Sequence, residues 1–177
     1  RYTFMPDRDG KYLVTAVKEN YAKNTKNIGK VKSSRRNSTI EQNFGMIGEG
    51  DIFKIDNIYY DFSKSEIRAD ARKAIDTKLI PILEKYPDIQ IEIRSHTDSR
   101  ATSEHNQKLS DERAQETVKY LIKKGIDPYR LTARGYGETE LVNVCEDGIP
   151  CSEEKHQENR RTEFKVLSIR EVYSYRK

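Results

Sequence analysis

Charged and small polar side chains gather in one stretch of this chain, Ser95-His96-Thr97-Asp98-Ser99, and in the residues that follow it as far as Arg113. Asp98 offers a carboxylate that can accept from an ammonium group. Arg113 offers a planar fork of donors that matches a carboxylate in a bidentate way, which a lysine would do less well. From spacing alone the two can equally pair with each other. Thr97 adds a backbone N–H and a hydroxyl, and Asn106 an amide able to bridge two groups. His96, Asp98 and His105 invite a metal reading, but one oriented imidazole in a loop is more often a hydrogen-bonding strut, and no metal is expected. The sequence holds no GxSxG, HExxH or catalytic Cys/His arrangement, so the chemistry on offer is binding rather than turnover.

The elements that must position these groups are legible around them. Ile89, Ile91 and Ile93 alternate with Gln90, Glu92 and Arg94, the period of a half-buried strand, and the alternation stops at Ser95. A helical period begins near Glu104, with Leu109, Ala114, Val118, Leu121 and Ile122 on one face and Gly125 as its stop. Arg113 lies seven residues after Asn106, two turns on, so both can face the loop. Upstream, Ile52 to Phe62 reads as a strand ending at Asp61. Ser63 or Ser65 then caps a helix carrying Ala71, Ala74, Ile75, Leu79, Ile82, Leu83 and Tyr86, which Pro81 should kink or split. Downstream, Leu131 to Tyr136 and a segment around Phe164 and Val166 read as strands, with a polar stretch from Glu153 to Asn159 able to form a helical turn. The expected fold is α/β (α+β): a two-layer β-α-β-α-β-β sandwich with a mixed four-stranded sheet and its helices on one face.

Composition sets the bounds. The chain has 177 residues, enough for one domain and an appendage. The net charge is +4, but Lys23, Lys26, Lys30, Lys32, Arg35 and Arg36 stand together without an acid; taking these six from +4 leaves −2. A near-neutral fold argues against nucleic acid as the partner. No stretch approaches the roughly 20 apolar residues of a membrane span. Residues 23–50, rich in Lys, Arg, Asn, Ser and Gly, read as a basic linker. Tyr2 to Val17 reads as a hairpin, and residues 1–22 as the last strands of a domain lying upstream; DGKYLVTAVKENY resembles the end of carboxypeptidase regulatory-like β-sandwiches. Residues 171–177 read as a tail. Cys145 and Cys151 share a Gly/Pro-containing loop and lack the second pair of a zinc site. Free thiols remain open to them, but a disulfide is the expectation, and with it an oxidising compartment.

The run SHTDS, then Asn106, LSDERAQ at 109–115, ARGYGE at 133–138 and Asn159-Arg160-Arg161 before the last strand resembles the OmpA C-terminal-like family over roughly Ile52 to Arg170. These are the peptidoglycan-anchoring domains of outer-membrane proteins, peptidoglycan-associated lipoproteins and flagellar stators. The resemblance implies a non-catalytic module of residues 51–170, without cofactor, that grips the diaminopimelate of the peptidoglycan stem peptide by Asp98 and Arg113. It implies contributions from Thr97, Asn106, Asp61 and one of Arg160 and Arg161, with Arg160 the candidate. It places the protein in the periplasm of a Gram-negative bacterium, associated with the outer membrane and with other envelope or secretion-complex proteins. The domain order resembles envelope proteins of the Bacteroidetes, including type IX secretion components. A cell-wall hydrolase such as an amidase, and a pure protein–protein module, are the alternatives.

Overall fold

The structure, a computed structural model, describes residues 8–32, 41–54 and 67–170. Asp61, the two serines expected to cap the first helix, the first arm of the expected hairpin and the tail lie outside these residues. The chain divides into two compact units, residues 1–48 and 49–177.

In the first unit, β1 (Gly10–Ala16) pairs antiparallel with β2 (Asn24–Val31). This corrects the linker reading of residues 23–50, because Asn24–Val31 lies inside it. The segment NTKNIGKV is basic, yet Asn24 is buried and Lys26, Ile28 and Val31 are half-buried, while Lys30 is exposed. Lys26 donates to the carbonyl of Asn43 at 2.6 Å and sits over the Phe44 ring. A bulge at Tyr12/Leu13 is taken up opposite by Gly29 at φ 77°. Residues 41–48 are not a tether either. Ala22 N–H donates to Ile47 O at 2.8 Å, and the Asn24 amide to Gly45 O at 2.6 Å.

The second unit is built on a four-stranded mixed sheet in the order β3 (Ile52–Lys54), β6 (Thr162–Ile169), β4 (Ile89–Ser95), β5 (Leu131–Gly135). β4 and β5 are parallel; β6 runs antiparallel to both β3 and β4. The parallel pair needs a crossover, which α3 (Ser103–Lys123) supplies while packing on both strands. Thr102 caps α3 by accepting from His105 N–H, and Gly125 at φ 94° ends it. Leu109, Ala114 and Leu121 are buried as expected; Ile122 is exposed, since one residue past Leu121 turns it about 100° away.

The preceding helix is α1 (Ala69–Ala74), a π-helical stretch Ile75–Leu79 and α2 (Ile80–Lys85). It is capped at Arg68, later than the serines would place it, with Asp70 accepting from the Ala71 N–H. Pro81 has no N–H to offer, and the π-helical stretch just before it absorbs the missing bond, so the helix is interrupted there as expected. Tyr120 on α3 and Lys124 just past its end both donate to the Asp76 carboxylate in the π stretch, so the two helices lie side by side. The Arg130 guanidinium ties the end of α2 to β4 through the carbonyls of Leu83, Tyr86 and Ile89.

β4 differs from a half-buried strand: Glu92 and Arg94 are buried along with Ile91 and Ile93. Tyr136 donates to Glu92 at 2.8 Å and lays its ring 4.3 Å from Arg94, which pairs with Glu140 at 2.7 Å. The charges are covered because each has a partner, the condition for burying them. Cys145 and Cys151 form a disulfide that closes the loop ahead of α4 (Glu153–Asn159).

Candidate functional site

The polar loop leaves β4 at Ser95 and is held from several sides. Its backbone N–H groups at His96 and Thr97 donate to Arg161 O at 2.9 Å and Gly137 O at 2.8 Å. Ser99 Oγ donates to Cys145 O at 2.6 Å, so the disulfide loop props the site loop directly. The Asn106 amide donates to the carbonyls of Asp98 at 3.0 Å and Ala101 at 3.3 Å, and also to the Glu138 carboxylate. Asn106 is therefore a staple between the start of α3, the loop and the turn after β5.

The LSDERAQ and ARGYGE motifs meet face to face. Asp111 accepts from Gly135 N–H at 2.8 Å and Ser110 from Gly137 N–H at 2.9 Å. A Cβ on Gly135 would land on Asp111 N and Ser110 Oγ, so only glycine admits this approach. Gly137, at φ 51°, is a second glycine of conformational necessity.

Thr97, Asp98, Asn106, Arg113 and Arg160 come together with Ala101, His105 and Leu109 around one narrow cleft. Its volume is about 20 Å³, room for roughly one water molecule. Asp98, Arg113 and Arg160 are all buried, and the Thr97 hydroxyl is buried with no hydrogen-bond partner among the described residues. The alternative in which Asp98 and Arg113 simply pair does not occur. The Asp98 carboxylate instead takes Arg160 at 2.6 Å and Arg100 at 2.7 Å. Burial pushes this carboxyl up, but the guanidinium donors of Arg100 and Arg160 more than reverse that and hold it below its ordinary range. It is a carboxylate at neutral pH.

Of the two adjacent arginines, Arg160 lines the cleft and Arg161 turns to Glu163 at 2.8 Å. Two residues at the site were missed by sequence reasoning. Arg100 stands two positions after Asp98, a local signal that could have been read. Glu153, which pairs with Arg100 at 2.8 Å and Arg160 at 2.5 Å, sits across the disulfide loop and leaves no such signal.

His96 departs from the strut reading. It is buried, neither ring nitrogen makes a hydrogen bond among the described residues, and the ring stacks on Tyr136 at 5.3 Å with Glu163 at 3.9 Å. It does not join Asp98 and His105 at the cleft, and among the described residues no group of His, Cys, Asp and Glu is arranged to hold a metal. Burial, then the positive charge of Arg161, pushes the His96 pKa down to about 3, with Glu163 pulling the other way. The unfolded chain takes up this proton near pH 6.5 and the folded chain does not, so stability falls as pH drops through that window. By pH 5 the loss reaches up to about 2 kcal/mol. Thermal unfolding between pH 7.5 and 5 should show it, and His96→Gln should flatten that part of the profile. An unchanged profile would show that His96 takes up its proton over the same pH range folded as unfolded.

Residues 59–149 match the OmpA family, and the chain belongs to it. Over 113 residues it is 41% identical to the photosystem I P700 chlorophyll a apoprotein A2 of Gloeobacter violaceus, covering 63% of this chain but 13% of that protein. It is 38% identical over 96 residues to the peptidoglycan-associated lipoprotein of Rhizobium meliloti, covering 54% of this chain and 53% of the lipoprotein. The chain thus spans about half the length of the lipoprotein it matches and far less of the apoprotein. Among solved structures, the periplasmic domain of Helicobacter pylori MotB superposes with a TM-score of 0.55 at 26% identity, covering 74% of this chain and 88% of that domain.

Proposed function

We propose that the second unit is a non-catalytic anchor that binds the peptidoglycan stem peptide through its diaminopimelate residue. The observation that carries this reading is the meeting of a buried carboxylate, Asp98, and a buried guanidinium, Arg113, in one cleft. Diaminopimelate ends in an ammonium and a carboxylate on the same carbon. Asp98 suits the first and Arg113 the second, and the Thr97 hydroxyl has bonding capacity to spare. Arg160 holds Asp98 in place, and Asn106 holds the loop that presents it.

The name of the lipoprotein relative supports peptidoglycan as the partner, and the disulfide supports an oxidising compartment such as the periplasm. No helix among the described residues is long and apolar enough to cross a membrane. The whole protein would then fasten an outer-membrane-associated complex to the cell wall. Its first unit would be the end of an upstream β-sandwich, a domain order that resembles the type IX secretion component PorE. Both cysteines are locked in the disulfide, so neither serves as the nucleophile of an amidase.

Calorimetry tests the core of the reading. The protein should bind a tripeptide ending in diaminopimelate at least about tenfold more tightly than its lysine counterpart, because lysine lacks the carboxylate that the Arg113 guanidinium would grip, a difference of about 1.4 kcal/mol. Equal affinity for the two, or binding of neither, would overturn it.

A further inference from the structure

We infer that Arg100 is an internal competitor for the cleft: its guanidinium occupies Asp98 until the ligand's ammonium displaces it, and Glu153 retains it once displaced. This rests on the reading of the cleft as a diaminopimelate site.

Three guanidinium contacts converge on one oxygen of Asp98. Oδ2 accepts from Arg100 Nε at 3.1 Å, Arg100 Nη2 at 2.7 Å and Arg160 Nη1 at 2.6 Å. Oδ1 accepts from the Arg100 backbone N–H at 3.3 Å. With room for roughly one water beside it, the cleft admits an ammonium to Asp98 only when a donor withdraws.

Burial decides which donor moves. The Arg160 side chain is 7% exposed, and its Nη2 is fastened to both Glu153 and Gln157. The Arg100 side chain is 36% exposed and rises from the loop itself. Its Nη1 already reaches Glu153, a side chain 62% exposed, at 2.8 Å. Arg100 can therefore leave Asp98 without losing its second carboxylate.

The exchange also suits the electrostatics of Asp98. A buried carboxylate stripped of a partner is costly. Replacing one cation by another keeps Asp98 compensated, so a ligand end carrying an ammonium is admitted where a neutral one is not. The cost of moving Arg100 appears as weakened apparent affinity, in proportion to the fraction of protein in which Asp98 is open.

The test uses the full chain and the diaminopimelate tripeptide, titrated by calorimetry at several salt concentrations. Arg100→Ala should bind about three- to tenfold more tightly than wild type. Its affinity should fall more steeply with salt, because the ligand then neutralises Asp98 without releasing a cation. Glu153→Gln should bind a few-fold more weakly, since the carboxylate that draws Arg100 away from Asp98 is lost. Arg100→Met, which keeps the aliphatic stem, should repeat the gain and serves if the alanine variant fails to fold by circular dichroism. A loss of affinity in both Arg100 variants would make Arg100 a ligand contact and overturn the inference while leaving the site reading intact. Unchanged affinity and salt slope would overturn it equally. If neither wild type nor Arg100 variants bind the tripeptide, the site reading itself falls, and the inference with it.

Discussion

Arg113→Ala is expected to lower affinity for the diaminopimelate tripeptide by at least about tenfold and to abolish most of the preference over the lysine tripeptide. Removing one partner of a desolvated charge pair typically costs about 2–5 kcal/mol, and the low end applies because the neighbouring Arg100 side chain keeps the rim of the cleft in contact with water. Arg113→Lys should weaken binding as well, since an ammonium cannot form the bidentate fork. Asp98 requires a gentler change than truncation. Alanine there would take from the buried Arg160 guanidinium one of its two carboxylate partners and cost stability as well as affinity. Asp98→Asn keeps the shape, removes the charge, and should weaken both tripeptides by at least about tenfold while preserving more of the preference between them, as both carry the ammonium. Calorimetry on the two peptides, with circular dichroism to confirm folding, reads all of this. Folded Arg113 and Asp98 variants with wild-type affinities would reduce both residues to parts of a structural network.

The second large effect is on stability and lies away from the charges. Gly135→Ala should cost about 3 kcal/mol or more, at or beyond the upper end of ordinary overpacking, because the added carbon meets the backbone of α3 as well as the Ser110 hydroxyl, and backbone cannot swing aside. Relief would require α3 to retreat from β4 and β5, on both of which it packs. The Asp111 carboxylate and the Ser110 hydroxyl would lose their bonds to the turn at the same time. Gly137→Ala should cost less, about 1–2 kcal/mol, the price of a left-handed conformation for an ordinary residue. Urea unfolding should show a lowered midpoint with an unchanged slope. A Gly135→Ala protein within about 1 kcal/mol of wild type would show that the approach of β5 to α3 is looser than the structure has it. The site loop makes both experiments functional as well, since the carbonyl of Gly137 holds the Thr97 N–H.

Local periodicity carried much of the architecture. The isoleucine alternation of β4, the abrupt polar run after it and the heptad-like spacing of α3 are short-range patterns, and backbone geometry converts them into a strand, a loop and a helix without help from distant residues. The break near Pro81 was legible for the same reason, because a missing N–H acts on its own turn. The basic segment at Asn24–Val31 was not. Its lysines look like a solvated tether, and only its pairing with Gly10–Ala16 makes it a strand, with Lys26 over the Phe44 ring.

The sequence by itself determined which groups could meet in the cleft: one carboxylate and one guanidinium placed on either side of a strand-to-helix junction, with Thr97 just before the first and Asn106 between them. Which of these groups hold one another was decided by tertiary structure alone. Asp98 could have closed on Arg113, 15 positions away, but Arg160 reaches it from 62 positions away and Arg100 from two. Glu92 and Arg94 carried the signature of a wet face, and only the return of Tyr136 and Glu140 over the sheet made it dry. The reason is common to both cases. Periodicity reports which way a side chain points, whereas the partner of a charge depends on what the rest of the chain brings within about 4 Å of it, where the interaction is strong enough to offset burial.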